Sequence, residues 1–183
     1  MRFSPLELEG AYVVDLEPIQ DERGMFARAF CAREFEEHGL EPAVAQGNLS
    51  TNVHRGTVRG LHYQTLPAPE AKLFRCIRGA TYHVVVDFRP GSDTYGEHVG
   101  VELTASGRTA LYVPELCATG YQALVDGAEV FYTVSGFYSP EHEQGVRYDD
   151  PALGIEWPLP VARISPKDAS WPLLSDLGTR SEA

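Results

Sequence analysis

Apolar and polar residues alternate along this chain in short runs, and Gly, Pro, Asn and Asp close the runs at intervals of roughly eight to twelve residues. Alternation with a period of two is the pattern of a half-buried strand; a helix repeats its apolar positions every three and four. Residues 11–16 form one such run, stopped by Pro18, and Asp21-Glu22-Arg23-Gly24 follows as a turn. Residues 25–30 read as a strand with Phe26 and Arg28 on one face, and residues 43–52 as another with Gln46, Asn48 and Ser50 aligned. A strand around residues 58–63, a loop marked by Pro67 and Pro69, and a strand over 72–77 ended by Gly79 come next. Residues 81–88, 99–103, 109–113, 121–125 and 129–138 extend the series. Helical spacing is convincing only over 32–38, with Gly39 as C-cap. Past Pro140, the prolines at 151, 158, 160 and 172 break regular structure and predict loops with a short helical turn packed over the body.

This series predicts an all-β sandwich, barrel or jelly roll with a few short helices. The 183 residues, 43% of them apolar, suit one domain over 1–183 with a substantial core. With one clear helix and no GxGxxG or P-loop spacing, a doubly wound α/β fold fits poorly.

The net charge of −11 argues against nucleic acid and anionic membrane as partners, so an anionic ligand must be met by a local cluster of cations. No apolar run approaches membrane-spanning length. Cys31, Cys76 and Cys117 have no CxxC or zinc-type spacing, and an odd count without a signal peptide predicts a reducing cytoplasm and no disulfide framework. The histidines are scattered, with no HxH or HExxH, so no metal site and no cofactor are expected.

Candidate chemistry centres on residues 55–76, RGTVRGLHYQTLPAPEAKLFRC, where Arg59, His62 and Lys72 fall within fourteen positions. In a straight strand Val58, Gly60 and His62 would share one face, and Arg59, Leu61 and Tyr63 the other. The two strands read as a hairpin-like pair that offers a base and a cation to an anionic substrate. His is the natural base near neutral pH, Tyr an acid, and Lys a partner for a developing oxyanion. Arg supplies forked donors for phosphate, and Asp can orient a His. The candidates are Arg23, Gln46, Asn48, Arg59, His62, Lys72, Tyr132, Tyr138 and Asp168. Each also has a structural reading: a buried hydrogen-bonded His62, core packing for Tyr132 and Tyr138, a solvated Arg23, and a turn or helix cap for Asp168. The residues alone leave both readings open.

Several motifs together resemble one family: VRGLHYQ, Gln46-x-Asn48-x-Ser50, DERG at 21–24, Lys72-Leu73-x-Arg75-Cys76, VVDFRPGS at 85–92 and GVRYDDPALGIEWP at 145–158. In order and spacing they closely resemble the dTDP-4-dehydrorhamnose 3,5-epimerase family, over residues 5–173. The resemblance implies a cupin-type double-stranded β-helix (jelly roll), a homodimer that exchanges an N-terminal strand, no metal, and a nucleotide-linked 4-keto-6-deoxyhexose as substrate. It further implies His62 as base, Asp168 as its partner, Lys72 at the enolate oxygen and Tyr132 as acid. Arg23 and Arg59 would hold the diphosphate. Gln46, Asn48, Glu143 and Lys167 would bind nucleotide or sugar, and Phe26 and Tyr138 would line the site.

Three positions depart from that family. Thr119 stands where the family usually has the His of a His-Gly-Phe motif, Arg28 where it usually has Glu, and His83 where an acidic residue is expected beside the catalytic His. Thr119 carries no charge, Arg28 changes the charge of the implied site by two units, and a protonated His83 would lower the basicity of His62. Three functions therefore stand: a full 3,5-epimerase; a single-position epimerase at C3 or C5; or a diverged cupin that isomerises or eliminates on a related keto-sugar, or only binds one.

Overall fold

In the computed structural model, which describes residues 1–177, the alternating runs fold into thirteen strands. They are β1 (Arg2–Pro5), β2 (Tyr12–Asp15), β3 (Ile19–Asp21), β4 (Gly24–Phe26), β5 (Gln46–Asn52), β6 (Val58–Gln64) and β7 (Lys72–Arg78). After them come β8 (Ala80–Asp87), β9 (His98–Thr104), β10 (Ala110–Val113), β11 (Cys117–Ala123), β12 (Ala128–Val134) and β13 (Glu143–Gly145). Three short helices are described, α1 (Ala32–Glu37), α2 (Pro166–Ala169) and α3 (Leu174–Leu177).

A six-stranded sheet, β1-β2-β10-β7-β12-β5, faces a five-stranded sheet, β13-β6-β11-β8-β9, and every pairing is antiparallel. The chain passes repeatedly from one sheet to the other, which is the jelly-roll winding expected. Strand β8 makes the layering visible. Val85 enters the core between the sheets with Phe74, Leu103, Tyr121 and Val130. Val84 and Val86 point the other way, into a second core with Leu61, Ala118, Val146 and Leu153. The proline-broken tail supplies that outer cover, with Ile155, Trp157 and Leu174, so a strand buried on both faces needs no polar alternation. Each of these valines is fully buried, worth about 1.5–3 kcal/mol apiece. On the outer face of the six-stranded sheet, Phe35 of α1 packs against Val14, Ala110 and Tyr112.

Element ends differ from the sequence reading for local reasons. The aromatic run stops at Val134, opposite the first residues of both neighbours, Gln46 and Lys72, so residues 135–138 have no ladder to join and form a loop. Strand β11 begins at Cys117 because it pairs with β8 from Asp87 onward, although Ala118, Thr119 and Gly120 carry little strand signal. Strand β5 starts only at Gln46, β4 ends at Phe26, and His38 is the C-cap of α1. The motif VVDFRPGS anchors a loop. Buried Asp87 accepts hydrogen bonds from Arg89, Ser92 and Thr94 and ties down the connection to β9. Burial pushes its carboxyl up, but those donors outweigh burial and hold it well below the usual range.

Candidate active site

Strands β6 and β7 are not a hairpin. They belong to different sheets, and the proline loop between them carries the chain across the sandwich. His62 and Lys72 therefore meet across the interior, where Lys72 Nζ donates to the His62 carbonyl at 3.4 Å. Nor does β6 run straight. Arg59 pairs with Tyr121 and His62 with Thr119, so three steps on β6 oppose two on β11. The extra residue is a bulge at Gly60, which has φ +113 and approaches so closely that a Cβ would fall 2.5 Å from Gly120 Cα. The bulge resets the alternation, so Arg59 and His62 line the same chamber while Leu61 is buried in the outer core.

Asp168 reaches His62 from the tail. Val58 N–H donates to Arg163 O at 2.8 Å and Ala162 N–H to Gly56 O at 2.9 Å, which ties the tail to the start of β6. Ser165 then caps α2 by accepting the Asp168 N–H at 3.0 Å, with Pro166 opening the helix. The cap is thus Ser165, and Asp168 is free to turn its carboxylate to His62 Nε2, 2.7 Å away. Its other oxygen accepts the Gly60 N–H at 3.3 Å. Burial raises the Asp168 carboxyl, but the hydrogen bond from His62 and its other donors outweigh that and hold it below the ordinary value. An ionised carboxylate only accepts, so Nε2 carries the proton and Nδ1 is the basic nitrogen of this ring. Trp171, whose ring covers Gly145, stands edge-on to His62 at 6.1 Å.

The interior opens as two joined chambers of about 330 and 300 Å³. His62, Lys72 and Tyr132 line both, so they stand at the junction. Tyr132 comes from β12 in the sheet opposite His62, with its ring stacked on Phe74 at 4.9 Å. Burial raises its phenol, and the charges of Tyr121 and Glu70 add to that, so it keeps its proton at neutral pH. Gln46, Asn48, Tyr138 and Glu143 line the first chamber. There Glu143 accepts from Lys167 Nζ at 2.5 Å and from the Tyr138 hydroxyl at 2.6 Å. Burial raises Glu143, and these two bonds outweigh it and hold the carboxyl below its ordinary value. Arg59, Thr119, Lys167 and Asp168 line the second chamber. Thr119 hydroxyl donates to Val84 O at 2.9 Å, so the main chain already satisfies it. Arg59 Nε donates to Asn52 Oδ1 at 2.9 Å, and Asn52 is itself fixed by Ala128 O and Tyr121.

Three implied site residues are elsewhere. Arg23, Phe26 and Arg28 lie on or just beyond the β3–β4 hairpin, whose strands pair with each other and with no other described strand. Arg23 is 85% exposed and bonds to Asp21, Phe26 is 73% exposed, and Arg28 pairs with Glu34 at 3.0 Å. The charge change at Arg28 is therefore outside this chain's own cavity. His83 makes no hydrogen bond to His62. It packs between the rings of Phe74 and Tyr121, at 5.1 and 5.0 Å, with Nε2 3.1 Å from Thr81 Oγ1. Full burial pushes it down to about 3, so it stays neutral and offers no charge to His62.

Sequence reasoning missed Glu70, whose Oε1 lies 3.2 Å from Lys72 Nζ, and the hydroxyl pair Ser50 and Tyr121, 2.5 Å apart on the second chamber's wall. Glu70 had a usable signal, since extended residues two apart share a side. Among the described residues no group of three or more His, Cys, Asp or Glu side chains is arranged to hold a metal, and no helix is long and apolar enough to cross a membrane.

A base backed by a carboxylate, a phenolic acid on the facing wall and an ammonium beside both suit proton removal next to a carbonyl and return of a proton from the other side. Comparison with known proteins points the same way. The family model described as dTDP-4-dehydrorhamnose 3,5-epimerase matches residues 5–176. A dTDP-4-dehydrorhamnose 3,5-epimerase of Methanothermobacter thermautotrophicus is 43% identical over 93% of this chain and 92% of its own. A dTDP-4-dehydrorhamnose 3-epimerase of Streptomyces niveus is 41% identical over 96% of this chain and 85% of its own. The crystal structure of a dTDP-4-dehydrorhamnose 3,5-epimerase from Elizabethkingia anophelis superposes with a TM-score of 0.93 at 35% identity, covering 96% of this chain and 97% of the other.

Proposed function

Because the chain belongs to the dTDP-4-dehydrorhamnose 3,5-epimerase family, we propose that it inverts C3, C5 or both of a dTDP-linked 4-keto-6-deoxyhexose in deoxysugar biosynthesis. It is an isomerase. The observation that carries the chemical reading is the placing of His62, Lys72 and Tyr132 around one junction, with Asp168 behind His62.

The C4 ketone acidifies the C–H bonds at C3 and C5. His62 Nδ1 takes one of these protons, and the imidazolium that forms is stabilised by Asp168. The electron pair moves onto the C4 oxygen, where the Lys72 ammonium meets the negative charge. Tyr132, on the opposite wall, delivers its own proton to the other face of the carbon and re-forms the ketone with inverted configuration. The phenolate recovers its proton and the imidazolium gives one up to solvent, so the chain ends as it began.

Arg59 supplies cationic donors for the diphosphate, and Gln46, Asn48, Tyr138, Glu143 and Lys167 receive the nucleotide and sugar. Thr119 offers the sugar a short, uncharged wall. Arg23 and Phe26, with Arg28 beside them, act on the site of a second copy in a homodimer. The support is the hairpin's separation from the rest of the sheets and the exposure of Ile19 and Phe26 on it, at 71% and 73%. One epimerase domain over residues 1–183, working in the cytoplasm without cofactor, completes the proposal.

Proton NMR of dTDP-4-keto-6-deoxyglucose in deuterium oxide tests it. Deuterium at C3 and C5 identifies a 3,5-epimerase, and deuterium at one carbon a single-position enzyme. A folded protein that exchanges neither sinks the reading in favour of another keto-sugar reaction or a binding role.

A further inference from the structure

We propose that Glu70 is a positioning residue for the Lys72 ammonium, an inference that rests on the oxyanion role of Lys72 given above. Both side chains are 9% exposed, and Glu70 Oε1 lies 3.2 Å from Lys72 Nζ. An ammonium has three N–H donors. The His62 carbonyl, at 3.4 Å, accepts one, and Glu70 Oε1 stands 3.2 Å away as an ion-pair partner. Lys72 lines the junction together with His62 and Tyr132. A Lys head on a four-carbon stem otherwise turns freely, so one fixed acceptor and one fixed negative charge give it a direction.

The carboxylate is held by its backbone. Ala71 N–H donates to Ser135 Oγ at 2.8 Å, and Ser135 N–H donates to Ala71 O at 3.0 Å. Gly136 presses on the same loop, where an added Cβ would lie 3.1 Å from Pro69 O and 3.5 Å from Glu70 Cβ. Lys72 is the only hydrogen-bond or ion-pair partner of the Glu70 side chain among the described residues. The loop that crosses between the sheets therefore delivers a charge to one place. A buried ammonium without a counter-charge is costly. Glu70 supplies that counter-charge, and the loop fixes where it stands. The site then holds two carboxylate-backed groups, His62 on Asp168 and Lys72 on Glu70, one for the proton and one for the oxygen.

The test is a double-mutant cycle on turnover of dTDP-4-keto-6-deoxyglucose, with deuterium exchange measured alongside. Lys72→Met is expected to lower kcat by about 10²–10³-fold. Glu70→Gln, nearly isosteric, is expected to lower kcat by about 10-fold or more with KM within about threefold. The double variant should be no slower than Lys72→Met, because Glu70 acts through Lys72. Losses that multiply overturn the proposal, as does a Glu70→Gln enzyme at the wild-type rate. Loss of exchange as complete as in His62→Ala would instead make Glu70 a base and also overturn it. A Lys72→Met enzyme of normal rate removes the oxyanion reading itself, an outcome distinct from slow Lys72→Met with fast Glu70→Gln. Glu70→Asp keeps the charge balance of the pair where Glu70→Gln weakens folding. Its shorter stem draws the ammonium aside and should lower kcat a few-fold at constant KM, and an unchanged kcat counts against positioning.

Discussion

His62 Nε2 lies 2.7 Å from Asp168 Oδ1, although 106 residues separate the two in the chain. The carboxylate also accepts the Gly60 N–H, so one Asp fixes both the imidazole and the bulge that aims it. Replacing Asp168 with Asn keeps the shape but lets an amide N–H meet Nε2, which favours the wrong tautomer. Asp168→Asn is expected to lower kcat about 10²-fold or more with KM little changed, and His62→Ala to abolish exchange at every acidified carbon. Steady-state kinetics and exchange by NMR check both; an Asp168→Asn enzyme of normal rate would remove Asp168 from the machinery.

Tyr132 stands on the wall facing His62, so removing its hydroxyl should separate proton removal from inversion. Tyr132→Phe keeps the ring on Phe74 and is expected to exchange protons for deuterium at near the normal rate while inverting about 10²-fold more slowly. Measuring exchange and product together distinguishes this from a general loss of binding, in which both rates fall in step.

The strands were legible because their alternation reports burial directly. The meeting of His62, Lys72 and Asp168 was not. His62 and Lys72 look like neighbours on a hairpin, yet the proline loop sends them into opposite sheets, where they face each other. Arg59 and His62 have opposite parity, and only the Gly60 bulge, set by the close approach of Gly120, puts them on one side. Asp168 has no local signal at all, since its place depends on how residues 162–163 dock against β6. Family resemblance points to these residues; periodicity does not. The same resemblance points to Arg23, Phe26 and Arg28, and within one chain they remain outside the cavity.

His83 makes a prediction about stability. Full burial pushes it down to about 3 in the folded chain, against about 6.5 when unfolded. Between those values the unfolded chain binds a proton that the folded chain refuses, so stability falls as pH drops from about 6.5 towards about 3. The slope is up to about 1.4 kcal/mol per pH unit from this residue alone. Asp168 and Asp87, both held below the ordinary carboxylate range, add their losses only at lower pH, below about 4. Urea melts at pH 7 and 5 should give wild type a loss that His83→Leu lacks. Equal slopes in the two proteins would mean that His83 takes up its proton as readily in the folded chain as in the unfolded one.

Asn52 holds Arg59 in the second chamber. Its Nδ2 donates to Ala128 O at 3.1 Å, which leaves Oδ1 to accept Arg59 Nε at 2.9 Å. Asn52→Ala removes one of the guanidinium's two holds, leaving Arg59 Nη2 on Thr51 O at 3.3 Å, and leaves the Ala128 carbonyl without this donor. The expected result is a KM raised about tenfold with kcat nearly constant, and a stability loss of about 1–3 kcal/mol. Inhibition by added dTDP should weaken in parallel, because the role proposed for Arg59 is to hold the diphosphate. A fall in kcat at constant KM would place Arg59 with the reacting carbon instead.

The β3–β4 hairpin carries Arg23 and Phe26 on an element that pairs with no other described strand, and leaves the cavity of its own chain without them. If the hairpin serves a second copy, each active centre is built from two chains, and inactive variants can complement. Arg23→Ala spoils the site that receives the hairpin, while His62→Ala spoils the site of its own chain. In a mixed dimer one centre combines an intact His62 with an intact Arg23, and the other has neither. Each parent alone should be nearly inactive, and unfolding and refolding them together should restore activity to a substantial fraction of one site per dimer. Light scattering on the wild-type chain should give twice the monomer mass. Should the hairpin fold back on its own chain instead, the two lesions fall in different centres whatever the partner, each mixed dimer keeps only defective sites, and no activity returns.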